Sequence, residues 1–468
     1  VEEVDLAPAR LAALAEVLPA EQADRFEAAT RQAGRALAGR TLWNINSTAN
    51  GGGVAEILRS LLGYFLAAGA RARWLVLDGD AEFYNTTKRL HNAIHGVMQP
   101  GGFGRAEHEH YQEVQDHNLP DILRLVGRDD LVMLNDPQTA GLVEPLRRAG
   151  VRVAWRCHIG RDKPNEHSVA AWEFLRRYVQ TADAFVFSRR EHAPEWVQPD
   201  RLWVIPPSID PLSRKNRPIP PQECRRILSG AGLLAGNGTG GPALVQGGPP
   251  PDPAARLVVQ VSRWDRLKDM AGVMAGCAMV GLPAGAHLLL VGPDVSGVTD
   301  DPEGAQVLAE CLAAWQRLPA AVRERISLVS VSMDDPDENA TIINAIQRHA
   351  TVLVQKSLAE GFGLTVAEAM WKERPVVASA VGGIQDQIVD GRDGLLMSDP
   401  TDLAAFGRTV QRLLADQELR RRLGLAGHQR VREYFLDDRH LAQITDLVEA
   451  MLADRRPEPA AEHGRGLA

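Results

Sequence analysis

Six short apolar runs recur in the first half of this chain, at residues 42–45, 74–77, 131–134, 151–155, 184–187 and 202–205. A second series follows at 257–261, 288–291, 326–331, 352–355, 376–378 and 394–397. Helical or loop stretches separate consecutive runs, too long for hairpins, so each run must reach its neighbour by a crossover. Runs without polar alternation belong in a parallel sheet covered on both faces. Between the two series stands Ile205-Pro-Pro-Ser-Ile-Asp210, where proline fixes φ and restricts the residue before it. The pattern predicts an α/β protein of two Rossmann-like domains joined at that stiff segment. Ligands of such sheets bind at the carboxyl ends of the strands, so the expected site is a cleft between the domains.

The remaining segments frame these two. Residues 1–40 read as an N-terminal helical extension, with Leu11, Leu14, Ala15 and Leu18 at helical spacing. Domain one then covers 41–210 and domain two covers 211–435. The Gly/Pro-rich stretch 236–253 reads as a surface loop without regular structure. Residues 402–452 read as helical. Residues 436–468 are expected to hold a C-terminal helix that packs back on the first domain, followed by a frayed tail.

Charge excludes several classes. At 468 residues and a net charge of −8, the chain does not read as a nucleic-acid-coating or polybasic membrane protein, so an anionic ligand needs a local basic cluster. No apolar run reaches about 18 residues, which gives the expectation of no membrane span. Cys157, Cys224, Cys277 and Cys311 are scattered without a C-x-x-C, and the first 40 residues lack the apolar block of a secretion signal. A reducing cytoplasm is the expected location.

Four constellations fall at strand ends. Glu360-Gly-Phe-Gly-Leu-Thr-Val-Ala-Glu368 follows the run at 352–355. Its glycines allow close backbone approach, and the helix opening at Leu364 and Thr365 presents N–H groups to negative charge. The two carboxylates suit hydroxyls of a ribose or hexose. In Val261-Ser-Arg-Trp-Asp-Arg-Leu-Lys-Asp269, Arg263 and Lys268 could reach one diphosphate from a single loop. After the first run, Asn46-Ser-Thr-Ala-Asn-Gly-Gly-Gly-Val-Ala-Glu56 puts three glycines at a helix start, a backbone-lined pocket for an anionic or sugar ligand. Trp155-Arg-Cys-His-Ile-Gly160 brings His158 to the edge of the sheet. Asp78-Gly-Asp80 has the form of a metal-holding pair but lies away from the basic loop. His91, His95, His108, His110 and His117 lack a nameable third ligand and read as a polar helix face. No metal site is expected.

Further stretches join these: Glu82-Phe-Tyr-Asn-Thr-Thr-Lys88, Asn135-Asp-Pro-Gln138 and Val381-Gly-Gly-Ile384. Together they resemble the retaining glycosyltransferases of the two-Rossmann-domain (GT-B) type, family four, and within them the trehalose-forming synthases. The resemblance runs from about residue 41 to residue 435. It implies a hexosyltransferase joining an NDP-activated glucose (UDP-, ADP- or GDP-glucose) to glucose in an α,α-1,1 linkage, without an obligatory metal or other cofactor. Its partners would be the nucleotide-sugar donor and a small hydroxyl acceptor, and a homodimer is compatible with it.

In that resemblance Arg263 and Lys268 hold the donor diphosphate, Glu368 binds the ribose, and Glu360 with the backbone of Gly361, Phe362 and Gly363 contacts the donor hexose. His158 approaches the reacting carbon, while Gly51, Gly52 and Gly53 frame the diphosphate and acceptor. Asn50, Glu82, Asn85, Lys88 and Gly160 fall on the acceptor side, in domain one. Two departures lie there: Gly160 where the family often has Asp, and Ala49-Asn50 where a Pro-aromatic pair is common. The same donor chemistry on a cyclitol, nucleoside or natural-product hydroxyl, or sugar-nucleotide binding without turnover, are the alternative readings.

Overall fold

The structure, a computed structural model, describes residues 1–49, 52–98, 101–236, 241–295 and 303–453. The chain folds as two compact units, Val1–Ser208 together with the helix Asp437–Leu452, and Ile209–Leu436.

Unit one is built on a seven-stranded sheet. Its strands are β1 (Glu2–Glu3), β2 (Thr41–Asn46), β3 (Arg71–Val76), β4 (Leu131–Asn135), β5 (Arg152–Cys157), β6 (Ala184–Phe187) and β7 (Leu202–Val204), in the order β1-β3-β2-β4-β5-β6-β7. All pairings are parallel except β1 with β3. Every residue of β2 and β4 is buried, as a strand covered by helices on both faces requires. Trp43, Trp74 and Trp155 fill the core beside the sheet.

Unit two repeats the plan with β8 (Ala243–Gln246), β9 (Arg256–Val261), β10 (Ala286–Pro293), β11 (Ile326–Val331), β12 (Val352–Gln355), β13 (Val376–Ser379) and β14 (Leu395–Met397). Their order is β14-β13-β12-β9-β10-β11-β8, antiparallel only at β8.

The twelve predicted strands are all present. Two more were not expected, each an antiparallel edge. β1 is two exposed residues inside the predicted helical extension, held by its pairing to β3 and by the Arg73–Glu3 ion pair. β8 lies inside the stretch 236–253 that reads as a loop. Its half-buried and exposed residues alternate, and it is ordered by backbone bonds to β11 rather than by a buried face. Composition cannot announce a strand of that kind.

Residues 402–452 form three helices, Leu403–Ala415, Gln417–Tyr434 and Asp437–Leu452. Asp402 and Asp416 cap the first two through side-chain bonds to Ala405 N–H (2.8 Å) and Leu419 N–H (2.9 Å), each worth about 1 kcal/mol. The third belongs to unit one, where Gln22 donates to Asp438 at 2.7 Å.

Strand order determines where each unit can bind a ligand. From β2 the chain moves to β3 on one side, and β4 begins the series on the other. From β9 it moves to β10, and β12 takes the opposite side. The crevice at such a reversal, outside the carboxyl ends of the two strands, is where open α/β sheets bind ligands. It falls between β2 and β4 in unit one and between β9 and β12 in unit two.

Candidate functional site

In unit two the loops leaving β9 and β12 are tied together. Leu358 N–H donates to Leu267 C=O at 2.7 Å. Gln260 bridges the strands themselves, donating to Lys268 C=O at 2.7 Å and accepting from Lys356 N–H at 3.1 Å. A short 3₁₀ turn, Arg266–Lys268, is capped by Asp265, and Asp269 follows with φ 48°. Asp269 caps the helix Met270–Val280 and forms a partly buried ion pair with Lys356. This frame brings Lys268 Nζ to 2.6 Å from Glu360 Oε2, to which Ser357 Oγ also donates at 3.2 Å. Arg263 is half-buried in the same loop.

The turn after Glu360 needs its glycines. Gly363, with φ 85°, opens the helix Leu364–Trp371, where Leu364 and Thr365 are half-buried. Gly361 C=O accepts from Gly383 N–H at 3.0 Å, and Gln387 Nε2 donates to Phe362 C=O at 2.6 Å. Gly382 has φ 49°, and a Cβ there would lie 1.7 Å from Glu360 O. The Val381–Ile384 segment is therefore the clamp that shapes the Glu360 turn.

Glu368 lies deeper, 1% exposed. Lys215 Nζ stands 2.9 Å from its Oε1, and Gln347 Nε2 donates to Oε2 at 2.8 Å. Burial acts to raise the Glu368 carboxyl, but the charges of Lys215 and Lys372 and the Gln347 bond outweigh it and hold the group below its ordinary value.

In unit one, His158 follows β5. Its backbone N–H donates to Asp136 Oδ1 at 2.7 Å, and its Nε2 lies 3.3 Å from Asn135 Oδ1. Asn135 uses Nδ2 to donate to Ile45 C=O at 3.1 Å, so its oxygen accepts, and His158 carries the proton on Nε2. Burial, then the nearby Arg156 charge, keeps this imidazole neutral, well below its usual value. Asp136 itself has φ 63° and ψ 178°, a region that side chains other than glycine's rarely enter. Burial pushes its carboxyl up to about 7, against the His158 N–H bond and the Arg156 charge.

Behind the pair, Arg156 donates to His440 Nε2 at 3.0 Å. Arginine only donates, so neutral His440 carries its proton on Nδ1 and donates it to Ser208 Oγ at 2.7 Å. Ser208 and Ser60 both bond to Asp437. The chain leaves unit one after Ser208 and returns at Asp437, so this buried network fixes both ends to β5.

Gly52 caps the helix Gly53–Ala67, with Gly53 exposed at its first turn. Asn50 and Gly51 lie outside the described residues. Glu82, Asn85 and Lys88 share the helix Ala81–Ile94, the first two exposed and Lys88 buried. That helix is clasped to the loop after β5 by Arg161, donating to His95 C=O at 2.9 Å, and by Asn165, donating to Gly96 C=O at 2.8 Å. Gly160 has a reason of its own: a Cβ there would meet the buried His192 ring at 2.2 Å.

Asp78 and Asp80 pair with histidines, His117 at 3.6 Å and His110 at 2.9 Å. His91 and His95 make an edge contact at 4.8 Å, and His108 stacks on Phe174 at 3.9 Å. Among the described residues no group of three His, Cys, Asp or Glu side chains converges as metal ligands, and no helix is long and apolar enough to cross a membrane.

Sequence reading assigned no role to Asp136 or Lys215. Asp136 sits in the Asn135-Asp-Pro-Gln138 stretch, but its backbone strain and burial are tertiary. Lys215 lies more than 150 positions before Glu368, and no local pattern links the two.

Comparison with known proteins places this geometry in a class. Over 88% of its length the chain superposes on the α,α-trehalose-phosphate synthase (UDP-forming) from Burkholderia vietnamiensis, covering 98% of that chain with a TM-score of 0.65 at 15% identity. The architecture is that of GT-B glycosyltransferases. Residues 44–194 match the model of the trehalose synthase N-terminal domain, and residues 335–430 match glycosyl transferases group 1. The trehalose synthase of Pyrococcus horikoshii is 36% identical over 421 residues, 89% of this chain and 91% of that protein. The trehalose synthase of Rubrobacter xylanophilus is 36% identical over 439 residues, 90% of this chain and 92% of that protein. The chain belongs to the trehalose synthase family of glycosyltransferases.

Proposed function

We propose that this protein is a retaining glycosyltransferase that moves glucose from an NDP-glucose to free glucose, forming trehalose through an α,α-1,1 linkage. The observation that carries the donor half is the Lys268–Glu360 pair at the β9/β12 switch point, with Glu368 on the helix that follows the Glu360 turn. The trehalose half rests on the activity for which the Pyrococcus and Rubrobacter relatives are named, and the UDP-forming Burkholderia neighbour supports a nucleotide-sugar donor.

The chemistry follows from charge. As the bond from the anomeric carbon to the diphosphate oxygen breaks, negative charge builds on the leaving group. Arg263, Lys268 and the helix N-terminus at Gly363 stabilise that charge in place of a metal. The acceptor hydroxyl attacks from the same face through an oxocarbenium-like state. Its oxygen bonds to the anomeric carbon, and its proton passes to the departing phosphate oxygen, so configuration is retained. Glu360 positions the hexose and does not form a covalent intermediate. Glu368 takes the ribose hydroxyls. In unit one His158 serves the sugar side, and Asp136 holds its backbone N–H.

Incubation with UDP-, ADP- and GDP-glucose, with and without glucose, and with EDTA present, tests the proposal by product mass. A disaccharide that forms only when glucose is added, and persists in EDTA, is the expected result. A product requiring a different acceptor, or no turnover at all, would replace this reading with one of its alternatives.

A further inference from the structure

We infer that Lys215 is a positioning residue of the nucleotide site, one that holds Glu368 ionised and aimed at the ribose of the donor. The inference rests on the proposed donor reading and adds to it a residue outside every motif of the sequence.

The segment carrying Lys215 is pinned to the frame of the site. Asn344 Nδ2 donates to Arg214 C=O at 2.8 Å and to Arg217 C=O at 2.9 Å, and Arg348 donates to Asn216 C=O at 2.7 Å. Lys372 Nζ donates to Asn216 Oδ1 at 2.8 Å, from the end of the helix that bears Glu368. Anchors on both sides of residue 215 leave its side chain little to do but follow the backbone, and it ends 2.9 Å from Glu368 Oε1.

The pair is asymmetric. Glu368 is 1% exposed and Lys215 is 19% exposed, so the lysine is the member that reaches solvent. Gln347, itself buried, fixes the other oxygen. Each carboxylate oxygen accepts two hydrogen bonds, so Lys215 and Gln347 leave one lone-pair direction on each for vicinal hydroxyls. Without Lys215, the Lys372 charge and the Gln347 bond alone would oppose burial at a carboxyl this deep, and a neutral acid accepts hydroxyl hydrogen bonds poorly.

The test compares nucleotides with and without the 2′-hydroxyl. Calorimetric titration of wild type, Lys215→Met and Lys215→Arg with UDP, ADP and GDP and their 2′-deoxy forms reads the ribose contribution directly. Wild type should bind the preferred ribonucleotide more tightly than its deoxy form by on the order of tenfold to a hundredfold. Lys215→Met should reduce that ratio to about threefold or less, mainly by weakening the ribonucleotide. Lys215→Arg should restore most of it, and circular dichroism at the assay temperature should show both variants folded. Equal weakening of both nucleotides by Lys215→Met, or an unchanged ratio, would overturn the inference while leaving the donor reading in place. A wild type that binds ribonucleotides without preferring them over deoxy forms would remove the role of Glu368 as well. Failure of wild type to bind any of the three would overturn the donor reading itself.

Discussion

Lys268 Nζ and Glu360 Oε2 stand 2.6 Å apart although 92 positions separate them in the chain. Two parallel strands on either side of a switch point bring them together, and Gln260 and the Lys356–Asp269 pair brace the loops from behind. In the proposed donor site Lys268 would exchange this carboxylate for the diphosphate.

Lys268→Met therefore should lower kcat by on the order of 10²–10³, the usual loss on removing one donor to a transition-state anion. Steady-state rates with saturating NDP-glucose measure this. Glu360→Gln should keep nucleotide diphosphate affinity within a few-fold while turnover falls, since its proposed contact is to the hexose. Equal loss of free nucleotide binding in Glu360→Gln would contradict that division.

Gly382→Ala should be severe although no side chain is lost. The new Cβ would lie 1.7 Å from Glu360 O at a backbone φ of 49°, so the turn must move. Scanning calorimetry should show unit two destabilised by roughly 2–4 kcal/mol, with donor binding lost in parallel.

Acid should destabilise unit one. His158 and His440 both have folded values well below 6.5, burial being the main cause. Their contribution is complete above 6.5 and is lost as pH falls, because the unfolded chain then takes up protons that the folded chain excludes. Asp136 acts oppositely: with its folded value raised to about 7, its contribution is full below 3.8 and lost as pH rises through 7. Below the ordinary histidine value the two imidazoles give unit one a limb of stability that falls with pH, which Asp136 and the likewise raised Asp438 and Asp446 oppose. His440→Gln, which can still accept from Arg156 and donate to Ser208, should flatten that limb in denaturant titrations at pH 7.5, 6.5 and 5.5. An unchanged slope would argue against a neutral His440.

Asp136→Asn should remove an ionisation near pH 7 from the profile of kcat/KM. Asparagine tolerates positive φ and can still accept from His158 N–H, so the main change is loss of titration. Wild-type activity is expected to rise with pH through about 7, as ionisation strengthens the acceptor that holds the His158 backbone N–H in place. The variant should be slower and flat across that range.

Much of this architecture is legible in the chain itself. The parallel strands announce themselves because a strand covered on both faces is mostly apolar, as Leu42, Trp43 and Ile45 make β2 and Leu131, Val132, Met133 and Leu134 make β4. The two antiparallel edges do not, since β8 depends on backbone pairing along one side of the sheet. The same contrast holds at the site. Arg263, Lys268, Glu360 and Glu368 stand in local motifs at strand ends. The strain at Asp136 depends on the tight turn after β4, and the hold of Lys215 on Glu368 depends on a segment anchored by two distant helices. Gly160 reads as a departure from a pattern until the His192 ring is found against its Cα.

The central claim is tested most directly by the linkage formed. NDP-[1-¹³C]glucose and unlabelled glucose should give a single disaccharide whose carbon-13 anomeric signal and proton coupling are those of α,α-1,1-trehalose. A β-configured product, a linkage to another hydroxyl, or free [1-¹³C]glucose alone would contradict the account.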